Sequence, residues 1–175
     1  MSGKWVNDIR FKRLGSEIMH LLELIKFTNE YILLIEKWES TNELSKYLSH
    51  TRPKYSREAK LDEGTLFFMI KFNDQIIGAA WLENITQNDA TMGIYIALAN
   101  YRGKGIGSEV IKILISMAFK EIKLKKLYLN VRENNIKAIR CYKKCGFKTT
   151  KTYPKMYFID SSYQGKYQMT LFNEN

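Results

Sequence analysis

Arg102-Gly103-Lys104-Gly105-Ile106-Gly107-Ser108-Glu109 follows closely on a β-favouring run, Gly93-Ile94-Tyr95-Ile96-Ala97-Leu98, and opens a helix. From Ile106 the apolar positions Val110, Ile113, Leu114, Met117 and Ala118 recur at steps of three and four, so one helical face is buried and the helix begins inside the glycines. The first turn of a helix leaves backbone N–H groups without an internal partner at the positive end of the macrodipole. Glycines there let phosphates approach the main chain, and Arg102 and Lys104 add positive charge. The stretch reads as a pyrophosphate cradle; the alternative is that Gly103, Gly105 and Gly107 only make a tight strand-to-helix turn.

Working outward, Thr65–Phe72 is a strand, Asn73-Asp74 a turn, and Gln75–Glu83 its hairpin partner, so with Ile94–Leu98 three consecutive strands run antiparallel. On the other side of the helix Lys126–Val131 is a strand, and strand, crossover helix and strand predict a right-handed parallel βαβ unit. A second helix starts at Asn134-Asn135, carries Ile136, Ala138, Ile139 and Tyr142 at helical spacing and ends at Gly146. Phe147–Tyr153 and Lys166–Phe172 are the last strands, around a loop at Ser161-Ser162. Towards the start, Ile9–Leu14 alternates as a strand, and Ser16 caps a helix carrying Ile18, Leu21, Leu22 and Ile25. A further helical pattern runs from Thr28-Asn29 through Ile32, Leu34, Ile35 and Trp38. Glu39–Leu48 forms a short helix with Trp38, Leu44, Tyr47 and Leu48 inward, and His50–Arg57 a basic loop.

The 175 residues suit one domain, with 45% apolar and 26% charged residues, and the net charge of +10 is concentrated between Tyr101 and Lys151, where only Glu109, Glu121 and Glu133 are acidic. Such a surface favours a polyanion: a phosphorylated cofactor, a nucleic acid or an anionic membrane. Cys141 and Cys145 lie one helical turn apart, and neither a disulfide framework nor a zinc set can be built with His20 and His50, so no metal is expected and a reduced, cytoplasmic setting is the simple inference. No signal-peptide core or membrane-length apolar run is present.

Asn135-x-x-Ala138-x-x-x-Tyr142-x-x-x-Gly146-Phe147 puts an amide, a small residue and a phenol close to one helix face. Together with Arg102-x-x-Gly105-x-Gly107 after the preceding strand, it resembles the acetyl-CoA-binding core of the GNAT superfamily of N-acetyltransferases, and the order of elements is similar from about Ile9 to Phe172. The resemblance implies a single acetyltransferase domain over 1–175. Its fold would be α+β, of the three-layer α/β type, with a mixed, mostly antiparallel central sheet of six to seven strands, a central parallel βαβ unit and helices on both faces. Trp38–Leu48 also resembles the group that acetylates N-termini of ribosomal proteins, and Ala138-Ile139-Arg140-Cys141-Tyr142 is similar to some aminoglycoside 6′-acetyltransferases.

The resemblance further implies that the strand at Ile94–Leu98 splays from Leu127–Val131, with the pantetheine arm bonded to backbone near Ile96, Ala97 and Leu98. The N–H groups of Arg102, Gly103, Lys104, Gly105, Ile106, Gly107 and Ser108 would hold the pyrophosphate, and Asn130, Asn135, Ala138 and Tyr142 would line the cofactor. Acetyl transfer to a primary amine in a ternary complex needs a neutral amine, a donor for the oxyanion and a proton for the departing thiolate. A backbone N–H near Ile96, the Tyr142 phenol as acid and Glu83 as base are the expected providers, with water or self-deprotonation of the amine as the alternative to Glu83. Cys141 is expected to be a structural thiol. The acceptor would be a small-molecule or peptide amine: a protein N-terminus, an aminoglycoside or a polyamine. A monomer or homodimer is expected, with membrane and nucleic acid not expected as partners.

Two rivals remain. A dinucleotide-binding oxidoreductase would share Gly103-x-Gly105, but only one parallel βαβ unit is recognisable and Ser108 stands at its third glycine. A CoA-binding or nucleic-acid-binding module without activity would share the charge, without a recognised nucleic-acid motif.

Overall fold

The computed structural model describes residues 9–14, 19–41, 61–158 and 161–174. Residues 42–60 lie outside them, and with them Leu44, Tyr47, Leu48 and the His50–Arg57 segment. The elements are β1 (Ile9–Leu14), β2 (Met19–Lys26), α1 (Ile32–Glu39), β3 (Leu66–Phe72), β4 (Gln75–Glu83), β5 (Asp89–Ile96), α2 (Ile106–Ser116), β6 (Lys126–Arg132), α3 (Ile136–Lys144), β7 (Lys148–Tyr157) and β8 (Tyr163–Phe172). They build one sheet in the order β1-β2-β3-β4-β5-β6-β8-β7, antiparallel everywhere except between β5 and β6. The antiparallel run β3-β4-β5 and the βαβ unit β5-α2-β6 are as the sequence predicts.

Among the described residues the sheet has eight strands, one more than the upper end of the expected six to seven. The additional one is β2, whose Leu21, Leu22 and Ile25 satisfy helical spacing in sequence. In the fold Leu22 and Leu24 alternate into one core, while Glu23 between them is buried on the opposite face and paired with Lys71 of β3 at 3.3 Å. That cross-strand partner is 48 positions away, so a local pattern carries no trace of it.

Each face of the sheet has its own core. Leu82, Met92, Leu127, Leu129 and Met169 pack under Val110, Ile113 and Leu114 of α2 and Ile139 of α3, which places these two helices on one face. Phe67, Met69, Ala79, Trp81 and Tyr95 pack under Ile35 and Trp38 of α1 on the other. Burial of each large apolar side chain contributes about 1.5–3 kcal/mol. On the α1 face the rings meet edge to face, Trp81 with Phe67 at 5.7 Å and with Tyr95 at 6.0 Å.

Gly93 makes that arrangement possible. A Cβ there would lie 2.2 Å from the Trp81 indole, which crosses β5 at this point. Gly93→Ala is expected to destabilise the protein by about 3 kcal/mol, the upper range for overpacking a close-packed core. Urea denaturation measures this, and an unchanged midpoint would mean that the indole lies elsewhere.

Candidate active site

β5 and β6 pair only at Asp89↔Lys126, Ala90↔Leu127 and Thr91↔Tyr128, although both strands continue for several residues. Beyond Thr91 they part, which opens a gap in the middle of the sheet. The polar groups that line it follow from register. The Ala97 N–H donates to the Ile77 carbonyl at 2.8 Å, so Ala97 is a hydrogen-bonded position of the β4–β5 ladder. Its neighbour Ile96, opposite Gly78, turns its N–H and C=O away from β4 and into the gap. Leu98 also donates to the Ile77 carbonyl, at 3.3 Å, and this double contact ends the ladder.

At the mouth of the gap α2 begins. Gly105 is its N-cap, in the left-handed region at φ 83°. The first bond from beyond the opening turn is Glu109 N–H to the Gly105 carbonyl, which leaves the N–H groups of Ile106, Gly107 and Ser108 without a helical acceptor. A Cβ at Gly103 or Gly107 would meet nothing within 4 Å. An open, glycine-lined helix start with unused donors fits a pyrophosphate.

The side chains around this helix start make contacts within the protein. Arg102 donates from Nε to the Ile96 carbonyl at 2.8 Å and from a terminal nitrogen to the Ala97 carbonyl at 2.6 Å, so its guanidinium fastens the end of β5 while keeping its charge at the mouth. Ile106 is core. The Ser108 hydroxyl lies 3.2 Å from the Cys141 sulfur, which ties α2 to α3. Burial pushes the neighbouring Cys145 thiol up from its usual pKa, consistent with a packing rather than a nucleophilic role for Cys145. Lys104 sits over the Tyr101 ring, 5.9 Å from its centroid.

Asn135 caps α3: its Oδ1 accepts from Ala138 N–H at 3.2 Å. Asn130 turns to the α1 face, with its Oδ1 buried. Tyr142 belongs to the core under α2 and α3 and is 9% exposed, its ring edge-on to Phe147 at 6.1 Å. Burial, and then the nearby Cys141 and Cys145, hold its phenol well above the ordinary tyrosine pKa, so it stays protonated across the neutral range. Glu83 is the last residue of β4, opposite Thr91, at the level where β5 and β6 part. Its Oε1 accepts from Trp81 Nε1 at 3.2 Å, which places the carboxylate on the α1 face. Tyr142 and Glu83 therefore flank the sheet from opposite sides.

One residue escaped the sequence reading. Arg132, at the end of β6, is fully buried; its guanidinium lies 4.1 Å from the centre of the Phe158 ring and donates to Ser162 Oγ at 3.2 Å. It fastens the two ends of the β7–β8 connection beside the gap. Nothing in its local sequence distinguishes it from the exposed basic residues around it.

A mixed sheet opened between its two parallel strands, with a glycine-lined helix start at the mouth, defines the class of protein, and comparison with known proteins gives the family. Residues 30–147 match the acetyltransferase (GNAT) family, to which this chain belongs. An aminoglycoside N(6')-acetyltransferase type 1 of Klebsiella pneumoniae is 26% identical over 145 residues, covering 73% of this chain and 72% of that protein. The spermidine N(1)-acetyltransferase of Escherichia coli K12 is 28% identical over 112 residues, 63% of this chain and 60% of that one. Among solved structures, the spermidine N-acetyltransferase of Vibrio cholerae in complex with CoA and spermine superposes with a TM-score of 0.75 at 23% identity, covering 86% of this chain and 95% of that one. The chain is an N-acetyltransferase, and its cosubstrate is acetyl-CoA.

Proposed function

We propose that the acetyl acceptor is a primary amine of a small polycation, a polyamine or an aminoglycoside, that enters from the α1 face and attacks directly in a ternary complex. The observation that carries this reading is the gap between β5 and β6, with the carboxylate of Glu83 on its α1 side. Carboxylates attract ammonium groups. The relatives named for aminoglycosides and spermidine support the same class.

In this reading the N–H groups of Ile106, Gly107 and Ser108, with Gly103 and Gly105 clearing the approach, hold the pyrophosphate. Arg102 and Lys104 supply charge at the mouth, and the backbone at Ile96, Ala97 and Leu98 aligns the pantetheine arm. Asn130, Asn135 and Ala138 line its other side. A backbone N–H near Ile96 stabilises the developing oxyanion and Tyr142 protonates the departing thiolate; Glu83, whose ladder partner Thr91 is five residues from Ile96, takes the amine proton by way of water. No helix among the described residues is long and apolar enough to cross a membrane. A cytoplasmic setting matches the acetyl-CoA requirement.

The test is a thermal-shift titration followed by an acceptor screen. Acetyl-CoA binding only the folded state raises the melting temperature saturably, by the equivalent of about 2.7 kcal/mol at one hundred times Kd, and NAD leaves it unchanged. Turnover is then expected with spermidine or an aminoglycoside. Turnover confined to peptide N-termini would overturn the acceptor class, and absence of any shift would overturn the cofactor site.

A further inference from the structure

Beyond Thr91 the two margins of the gap are built differently on the α1 face. Leu127, Leu129 and Val131 of β6 point into the core under α2 and α3, so the alternation of a strand turns Asn130 and Arg132 to the α1 face. Continuing the Asp89↔Lys126 register brings Arg132 level with Tyr95, the neighbour of Ile96, across the gap. On the β5 side the space above the sheet is taken by α1, whose Trp38 meets the Tyr95 ring edge-on at 6.3 Å. On the β6 side it is taken by the two ends of the β7–β8 connection. The Phe158 ring centre lies 4.1 Å from the Arg132 guanidinium, and Ser162 Oγ accepts from Arg132 at 3.2 Å and from Gln164 Nε2 at 2.8 Å. Among the described residues, an amine approaching from the α1 face passes between α1 on one side and Phe158 and Ser162 on the other.

A side chain at the margin of an open gap is exposed unless something covers it, and Arg132 is fully buried. Burying a guanidinium carries a desolvation penalty that an apolar side chain of similar volume avoids. Its ladder partner Lys166 has the same sign and holds its Nζ 4.8 Å from the centre of the Tyr153 ring, so attraction along the ladder does not account for the arginine. What a guanidinium adds is geometry. A planar group that lies on a ring with its face and donates from its edge fixes Phe158 and Ser162 at once, which neither a point-charge lysine nor an apolar side chain does. The Phe158 N–H donates to the Ser162 carbonyl at 2.9 Å, so the two ends move as one piece.

We propose that Arg132 is a positioning residue for the acetyl acceptor: it does not touch the amine but holds Phe158 and Ser162 at the β6 margin of the gap, and so sets the width of the acceptor's approach. The inference rests on entry of the amine from the α1 face. The sign of its effect separates a clasp from a charge. Acting through its charge on a cationic acceptor, Arg132 would repel it, and removing the charge would lower the acceptor KM. Acting as a clasp, Arg132 places one wall of the approach, and removing it raises the acceptor KM.

The experiment is steady-state kinetics of Arg132→Met, Arg132→Lys and Ser162→Ala in the full chain, with the amine that the wild-type protein turns over. Expected in Arg132→Met is an acceptor KM raised at least about tenfold, within the hundredfold that a misplacement of about 1 Å costs. The acetyl-CoA KM and thermal shift should stay as in wild type, which shows the variant folded. Arg132→Lys keeps the charge and loses the plane, so its acceptor KM should lie within about threefold of that of Arg132→Met. Ser162→Ala should raise the acceptor KM about threefold and add little to Arg132→Met, because both act through one contact. An acceptor KM that falls or stays unchanged in Arg132→Met would overturn the proposal. So would an acetyl-CoA KM that rises in step with it, the mark of general damage to the sheet. Should Arg132→Met fail to fold, Ser162→Ala decides alone, and an unchanged acceptor KM there overturns the clasp. Turnover confined to peptide N-termini would sink the polycation reading and not this one, since the same comparison is then made on the peptide.

Discussion

Tyr142→Phe is expected to lower kcat by about 10²-fold or more, the range for loss of a positioned general acid, while the acetyl-CoA thermal shift stays near its wild-type size. The substitution keeps the ring, its edge-on contact with Phe147 and its place among the core residues under α2 and α3, and removes one oxygen. Because burial holds the phenol above its ordinary pKa, it is a proton donor and not a base at neutral pH. The sign follows: activity should show no alkaline limb from this group below about pH 10, the unperturbed tyrosine value. Glu83→Gln tests the other side of the reaction, since it should lower kcat/KM while leaving Tyr142 and the acetyl-CoA thermal shift in place. Single-turnover rates separate these effects from product release. An unchanged single-turnover rate in Tyr142→Phe would remove the phenol from the mechanism.

The parts of this site that were legible in sequence are those encoded by neighbours. Gly105 must be glycine-like because it caps α2 at positive φ, and the apolar spacing from Ile106 onward announces the helix that follows. Asn135 declares the start of α3, and Gly146, at φ 93°, its end. What escaped depends on partners distant in the chain. β2 reads as a helix until Glu23 meets Lys71. β7 runs on to Tyr157 through Pro154, which an edge strand tolerates at the irregularity between Tyr153 and Met156. β5 begins at Asp89, ahead of the apolar run that betrays it, and only its pairing with Lys126–Tyr128 fixes where the gap opens. Arg102 was legible as charge but not as the clasp on the Ile96 and Ala97 carbonyls, because that contact exists only once the chain has turned back on itself. The function was therefore more readable than the sheet that supports it, since the cradle and the cap are local and the gap is not.

Gly107→Ala separates a cradle from a tight turn by moving stability and binding in opposite directions. Gly107 lies in the first turn of α2 and is not among the glycines with positive φ. A methyl group there meets no protein atom within 4 Å, so the folded chain accepts it without strain. Alanine is preferred to glycine in a helix by about 1 kcal/mol, which for a chain of this size raises the melting temperature by roughly 2–4 °C. The same methyl group occupies the space through which phosphate oxygens reach the Ile106, Gly107 and Ser108 N–H groups, so acetyl-CoA affinity should fall at least tenfold, about 1.4 kcal/mol. Gly103 and Gly105 cannot make this distinction. Their φ angles of 75° and 83° strain any side chain, and a loss of binding there would merely accompany a loss of fold. A Gly107→Ala protein that is more stable and still binds acetyl-CoA normally would mean that the glycines serve the turn alone, and the pyrophosphate would then have to be held elsewhere along the mouth of the gap.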